Sequence, residues 1–141
     1  MASIREETVL ESSADDVWEV IGDFAAGPRR MAPGFVLDSQ AEGDCRVVTF
    51  ADRTVVRERR VTVDHDARRI VYAVVGGNVQ PEHDNAAMQV LPDGEQRCRL
   101  TWIRDVLPDE LAEPMAKAMS AGMEVIKRTL DHLSEPGSPA R

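Results

Sequence analysis

Three strand-like runs each carry a candidate for acid–base or orienting chemistry: Tyr72 in RRIVYAVVGG, Asp84 in EHDNAAMQV and Arg104 in CRLTWIRDV. Successive side chains of a strand point to opposite faces, so Cys98, Leu100, Trp102 and Arg104 share one face and Arg97, Arg99, Thr101 and Ile103 the other. The first set is the apolar one and is expected to face the core. By the same parity Tyr72 goes inward with Ile70 and Val74, and Asp84 goes inward with Ala86, Met88 and Val90, leaving His83 and Asn85 outside. A phenol or carboxylate whose pKa is raised by burial can act as general acid or base, and a guanidinium can stabilise an enolate. The competing assignment is structural, because a buried salt bridge uses the same residue types. In VVRERRVTVD the parity stays open: Val56, Glu58, Arg60 and Thr62 oppose Val55, Arg57, Arg59, Val61 and Val63.

Other chemistries lack their residues. His83 beside Asp84 suggests a metal, but strand neighbours point apart, His65 falls in a turn and His132 in a last helical turn, so no metal site is expected. There is no GxSxG, and neither Cys45 nor Cys98 neighbours a base; both read as small buried hydrophobes. GGN at 76–78 has no following helix and reads as a turn, not a phosphate cradle. The net charge of -8 and pI near 4.9 make nucleic acid and anionic membranes poor partners and favour small neutral or hydrophobic ones. The RERR group at 57–60 lacks interleaved aromatics and reads as a solvated sheet face. MASIREETVL has no apolar signal core, and no run of about 18 apolar residues occurs, so a cytoplasmic location is expected.

The elements that must position these groups follow from periodicity and punctuation. Residues 3–10 alternate as a first strand, and SSADDVWEVIGD reads as a short helix capped by Ser12 or Ser13, with Val17, Val20 and Ile21 on its apolar face. FAAGPRRMAPG is too rich in proline and glycine for one regular helix. From Phe35 to Asp105 alternation recurs between turn signals at 42–44, 51–53, 64–68, 76–81 and 92–96, giving six strands of an antiparallel meander. From Pro108 to Leu133 the spacing of Leu111, Met115, Met119, Met123, Ile126, Leu130 and Leu133 predicts a long amphipathic helix, with a kink or second start near Glu113 imposed by Pro114. Met115, Met119 and Met123 fall on one stripe, suited to lining an adaptable ligand cavity as well as to ordinary core packing. One α+β domain over residues 1–133 is expected, followed by a disordered tail at 134–141.

The run of ESSADDVWEVIGDFAA, the Pro-Gly at 33–34, GDCRVVTF, VVRERRVTVD, RRIVYAVVGG, EHDNAAMQV and LTWIRDVLPDELAEPM resembles the polyketide cyclase/dehydrase-like branch of the START and Bet v 1-like (SRPBCC) superfamily, from about Ala2 to about Leu133. The resemblance implies a helix-grip fold: a seven-stranded curved antiparallel sheet wrapped around the C-terminal helix, two short helices after the first strand, and a cavity between. It implies no obligatory metal or organic cofactor. Two departures bear on the cavity: Met31 and Ala32 stand before Pro33 where relatives often carry an aromatic, and Arg60 stands where they often place an apolar residue. The resemblance also turns Glu58 inward, with Arg46 on the preceding strand, and a buried Glu58 then needs Arg46, Arg60 or Arg104 as partner.

The expected site therefore has Arg46, Glu58 and Tyr72 as candidate catalytic residues and Asp84, Met88, Trp102, Arg104, Met115, Met119 and Met123 as ligand-binding residues. The expected function is binding of a small hydrophobic or amphipathic molecule by a monomer or weak homodimer. An enzyme similar to polyketide aromatases and cyclases, using the same cavity for aldol-type closure and water loss, is the alternative. A protein docking on the sheet face or cavity mouth is a third possibility.

Overall fold

Strand alternation, interrupted only by short turns, sets the order of elements in the computed structural model, which describes residues 1–133. The order is β1 (Ala2–Leu10), α1 (Ala14–Ile21), α2 (Gly27–Met31), β2 (Val36–Glu42), β3 (Cys45–Phe50), β4 (Val55–Asp64), β5 (Arg69–Gly77), β6 (His83–Pro92), β7 (Cys98–Leu107) and α3 (Ala112–Leu130). The strands form one seven-stranded sheet in the order β1-β7-β6-β5-β4-β3-β2, every pairing antiparallel. The sheet curves around α3, as the helix-grip expectation required. The tail expected to be disordered, residues 134–141, lies outside the described residues. No helix among the described residues is long and apolar enough to cross a membrane.

Local chemistry explains the helix ends. Ser13 caps α1, its Oγ accepting from the Asp16 amide at 3.2 Å, and Asp15 and Asp16 sit in the first turn, where the helix dipole favours negative charge. The apolar face of Val17, Val20 and Ile21 is buried against the sheet. The final helix is shorter than the spacing from Pro108 to Leu133 suggested. A 3-10 turn occupies Asp109–Leu111 and α3 begins at Ala112, so Pro114 falls in the first turn, where an amide has no intrahelical acceptor to lose. The second start near Glu113 thus replaces a kink.

β4 resolves its ambiguous parity by changing it. Glu58 lies opposite Val74 and Arg46, facing inward, and Arg60 lies opposite Tyr72; the register then shifts between Arg60 and Thr62, so that Val63, opposite Ile70, packs against the core. The bulge leaves Val61 exposed. A second shift between Arg57 and Glu58 places Gly77 opposite Val56, where a Cβ would overlap the Val55 carbonyl oxygen and the φ of 105° already disfavours other residues.

The C-terminal end of α3 is latched to the β1–α1 junction. The buried Ser12 hydroxyl donates to the Leu130 carbonyl at 2.6 Å and accepts from the Leu133 amide at 2.7 Å, while the Glu11 amide donates to Asp131 at 2.8 Å. Ser12→Ala leaves a buried carbonyl and amide without their partner and is expected to cost about 1–3 kcal/mol, read by urea denaturation. A change below about 0.5 kcal/mol would mean that the latch contributes nothing beyond packing.

Candidate functional site

The concave face of the sheet and the facing side of α3 do not meet along their whole length; they enclose a cavity of about 500 Å³. Its lining residues Ala51, Asp52, Pro114 and Ala118 are also solvent-exposed, which places the mouth between the β3–β4 turn and the first turns of α3. Along α3 the lining extends no further than Ile126. Most of the wall is apolar, and a small polar group is set into the sheet side.

That group consists of two ion pairs with a tyrosine between them. Arg46 Nε donates to Glu58 Oε1 at 2.7 Å, and Arg104 grips Asp84 with two bonds, Nε to Oδ1 at 2.6 Å and Nη2 to Oδ2 at 2.8 Å. Arg46, Glu58 and Asp84 keep only 3, 5 and 3% of their surface exposed, so each charge depends on its partner for solvation. Arg46 is further held by the Phe24 carbonyl at 2.9 Å, and its guanidinium lies between two rings, 4.5 Å from the centroid of Phe24 and 4.7 Å from that of Tyr72. For Arg104, burial opposes the charge, but the hydrogen bonds it donates to Asp84 and the surrounding negative charge outweigh it and hold the guanidinium above its ordinary range.

Tyr72 sits on β5 between the pairs, opposite Ala86, which is itself opposite Arg104. Its hydroxyl accepts from Trp102 Nε1 at 3.1 Å and donates to no described residue. Burial, and then the Glu58 charge, push the phenol up to about 12. It is therefore a donor, not a base, at neutral pH. Because the folded pKa is raised above the ordinary 10.0, the tyrosine's contribution to stability is full below about pH 10 and is lost as pH rises through about 12. Tyr72 is the one tyrosine of the chain, so the tyrosinate absorbance reads it alone. Native protein is expected to titrate near pH 12 and urea-unfolded protein near 10; coincident curves would contradict the buried phenol.

The residues singled out from the sequence divide unequally. Arg46, Glu58, Tyr72, Asp84, Met88, Trp102, Arg104, Met115 and Met119 all line the cavity; Met123 does not, and packs instead toward the β1 side of α3. Each four-residue step on a helix overshoots a full turn by about 40°, so Met123 has drifted about 80° from Met115, and Gly122 and Ile126 continue the cavity stripe in its place. Met31 and Ala32 are buried and line the wall. Arg60 is on the inward parity but exposed, its guanidinium 5.9 Å from the Phe24 ring, and Arg46 is the partner of Glu58. Trp18 stands apart from the cavity, donating to His65 Nδ1 at 3.1 Å.

Three contributors escaped the sequence reading. Phe24 lies in an irregular segment with no period, and Phe35 packs edge-on to Phe50 at 5.8 Å just outside a strand end. Gly122 did leave a signal, a glycine inside a helix: a Cβ there would stand 3.2 Å from the Phe35 ring and 3.6 Å from that of Trp102. Among the described residues no three His, Cys, Asp or Glu side chains converge as a metal site.

A curved antiparallel sheet gripping a long helix around a cavity with a few inward polar groups defines a helix-grip fold. The chain belongs to the family described as polyketide cyclase / dehydrase and lipid transport, matched over residues 1–135. Similar solved structures include the protein XoxI from Bacillus cereus, at 19% identity and TM-score 0.81 over 96% of this chain and 99% of that one. Norcoclaurine synthase from Thalictrum flavum, solved in complex with dopamine and hydroxybenzaldehyde, is 20% identical with TM-score 0.65 over 90% and 84% of the chains. The di-domain ARO/CYC BexL from the BE-7585A biosynthetic pathway is 13% identical with TM-score 0.80; 96% of this chain covers 48% of that one. No curated protein matches the chain.

Proposed function

We propose that the protein holds one small amphipathic molecule in this cavity, as a cytoplasmic monomer or weak homodimer. The observation that carries the proposal is the cavity's composition: about 500 Å³, within the roughly 300–1,000 Å³ of small-molecule sites, with apolar walls and a few convergent polar groups. The second oxygen of Glu58, Nη2 of Arg46, Nη1 of Arg104 and the Tyr72 proton are used by no described residue and are available to a ligand. Met88, Met115 and Met119 adapt the apolar wall to its shape. With naphthol as probe, Glu58→Gln and Tyr72→Phe are each expected to weaken binding about fivefold, the worth of one hydrogen bond. Fluorescence titration beside thermal melts checks this: lower melting temperatures with unchanged binding would make both residues structural.

A second reading, cyclase-like catalysis in the same cavity, is favoured by the unclaimed Tyr72 proton lying between two guanidinium groups. There the phenol would donate to the oxygen that gains charge as a carbon–carbon bond closes, with Arg46 stabilising the enolate and Glu58 accepting the proton removed from carbon. The proteins most suggestive of this chemistry are norcoclaurine synthase and BexL, whose likeness to this chain is one of fold. Against it stands Glu58 itself, whose Oε1 is already engaged by Arg46 at 2.7 Å.

A further inference from the structure

The four charges set into the sheet side of the cavity sum to zero, and they do so pair by pair. Arg46 with Glu58 and Arg104 with Asp84 are each in direct contact, so neither arginine presents an uncompensated charge to a ligand. The charged lining residue left over is Asp52, at the mouth, and the chain as a whole carries -8. A molecule bearing a carboxylate, sulfonate or phosphate would approach against a negative field and then find both guanidinium groups already neutralised. Its own desolvation would go unrepaid. An uncharged molecule meets no such penalty, and the spare donors and acceptors described above can still orient its hydroxyl, carbonyl or amine groups.

Resting on the reading of the cavity as a small-molecule site, we infer that Glu58 and Asp84 are specificity residues: as counter-ions to Arg46 and Arg104 they exclude anionic amphiphiles such as fatty acids and select uncharged ones. The two carboxylates are not interchangeable. Asp84 binds one edge of its arginine through two nitrogens, leaving Nη1 of Arg104 unused, whereas Glu58 binds Arg46 through Nε alone, leaving Nη2 directed to no described residue. Removing Glu58's charge therefore leaves Arg46 with no carboxylate partner and two guanidinium nitrogens, Nε and Nη2, open to a ligand. The Glu58→Gln cavity is expected to become an anion site, with the bound anion restoring the charge balance that the substitution removed.

The test uses two dyes built on one anilinonaphthalene skeleton, uncharged N-phenylnaphthylamine and its anionic sulfonate counterpart, titrated by fluorescence into the intact protein. The native protein is expected to bind the uncharged dye at least about tenfold more tightly. Glu58→Gln is expected to raise sulfonate affinity about tenfold and to gain more in melting temperature from the sulfonate than the native protein does. Asp84→Asn gives a second, independent variant should Glu58→Gln fold poorly, with the same direction expected. Equal affinity of the native protein for both dyes, or unchanged sulfonate affinity in folded Glu58→Gln and Asp84→Asn, would overturn the selection while leaving the cavity as a binding site. Binding of neither dye would remove the small-molecule reading and the inference together.

Discussion

Glu58→Ala, with Arg46 left in place, is expected to cost about 3–5 kcal/mol, whereas Arg46→Met combined with Glu58→Leu is expected to be neutral or stabilising by about 1–4 kcal/mol. The asymmetry follows from burial. Arg46 is 3% exposed and is held by Glu58, the Phe24 carbonyl and two aromatic rings. Without Glu58 its charge stays in a poorly solvated place with its main counter-ion gone. Replacing both partners by apolar side chains of similar size removes the desolvation cost of both ions, and the rings on either side of Arg46 can pack on a methionine. Urea unfolding of the two variants and the native protein measures the difference. A double variant as unstable as Glu58→Ala would mean that the pair is needed to build the sheet. A stable double variant that no longer discriminates between the two dyes would place the pair's purpose in the ligand.

Gly122→Leu is expected to abolish binding of N-phenylnaphthylamine, by about a hundredfold or more, while changing stability little. A Cβ at this position already stands 3.2 Å from Phe35 and 3.6 Å from Trp102, so the rest of a leucine side chain must project between those rings into the cavity. Two stability effects oppose each other: leaving glycine in a helix interior costs about 1 kcal/mol, which leucine recovers, and crowding Phe35 costs about 1–3 kcal/mol. The expected signature is lost binding with a near-native melting temperature. Unchanged affinity in the folded variant would move the ligand site elsewhere.

How far these residues could be placed from the sequence depended on whether their element keeps its period. β7 pairs with β6 over Cys98 to Leu107 without a shift, so simple alternation puts Trp102 and Arg104 on the inner face. β4 carries two register shifts, neither marked by a glycine or proline of its own, and alternation alone could not say whether Glu58 faced in or out. The choice of Arg46 over Arg60 or Arg104 as its partner depends on cross-strand register, Arg46 opposite Glu58, which belongs to pairs of strands and not to any one of them. Counting fours along a helix that turns every 3.6 residues puts Met123 on the cavity stripe, an error that grows with each step. Phe24 acts through a backbone carbonyl and a ring face in an irregular segment, and nothing periodic marks it.

The claim on which the rest depends is that the space between the sheet and α3 holds a small molecule. Native mass spectrometry of the intact protein with excess N-phenylnaphthylamine tests it most directly, because it counts bound molecules per chain. The expected result is one dye per chain on the native protein, lost on denaturation and absent from Gly122→Leu. No bound dye on the native protein, or equal binding to Gly122→Leu, would contradict it.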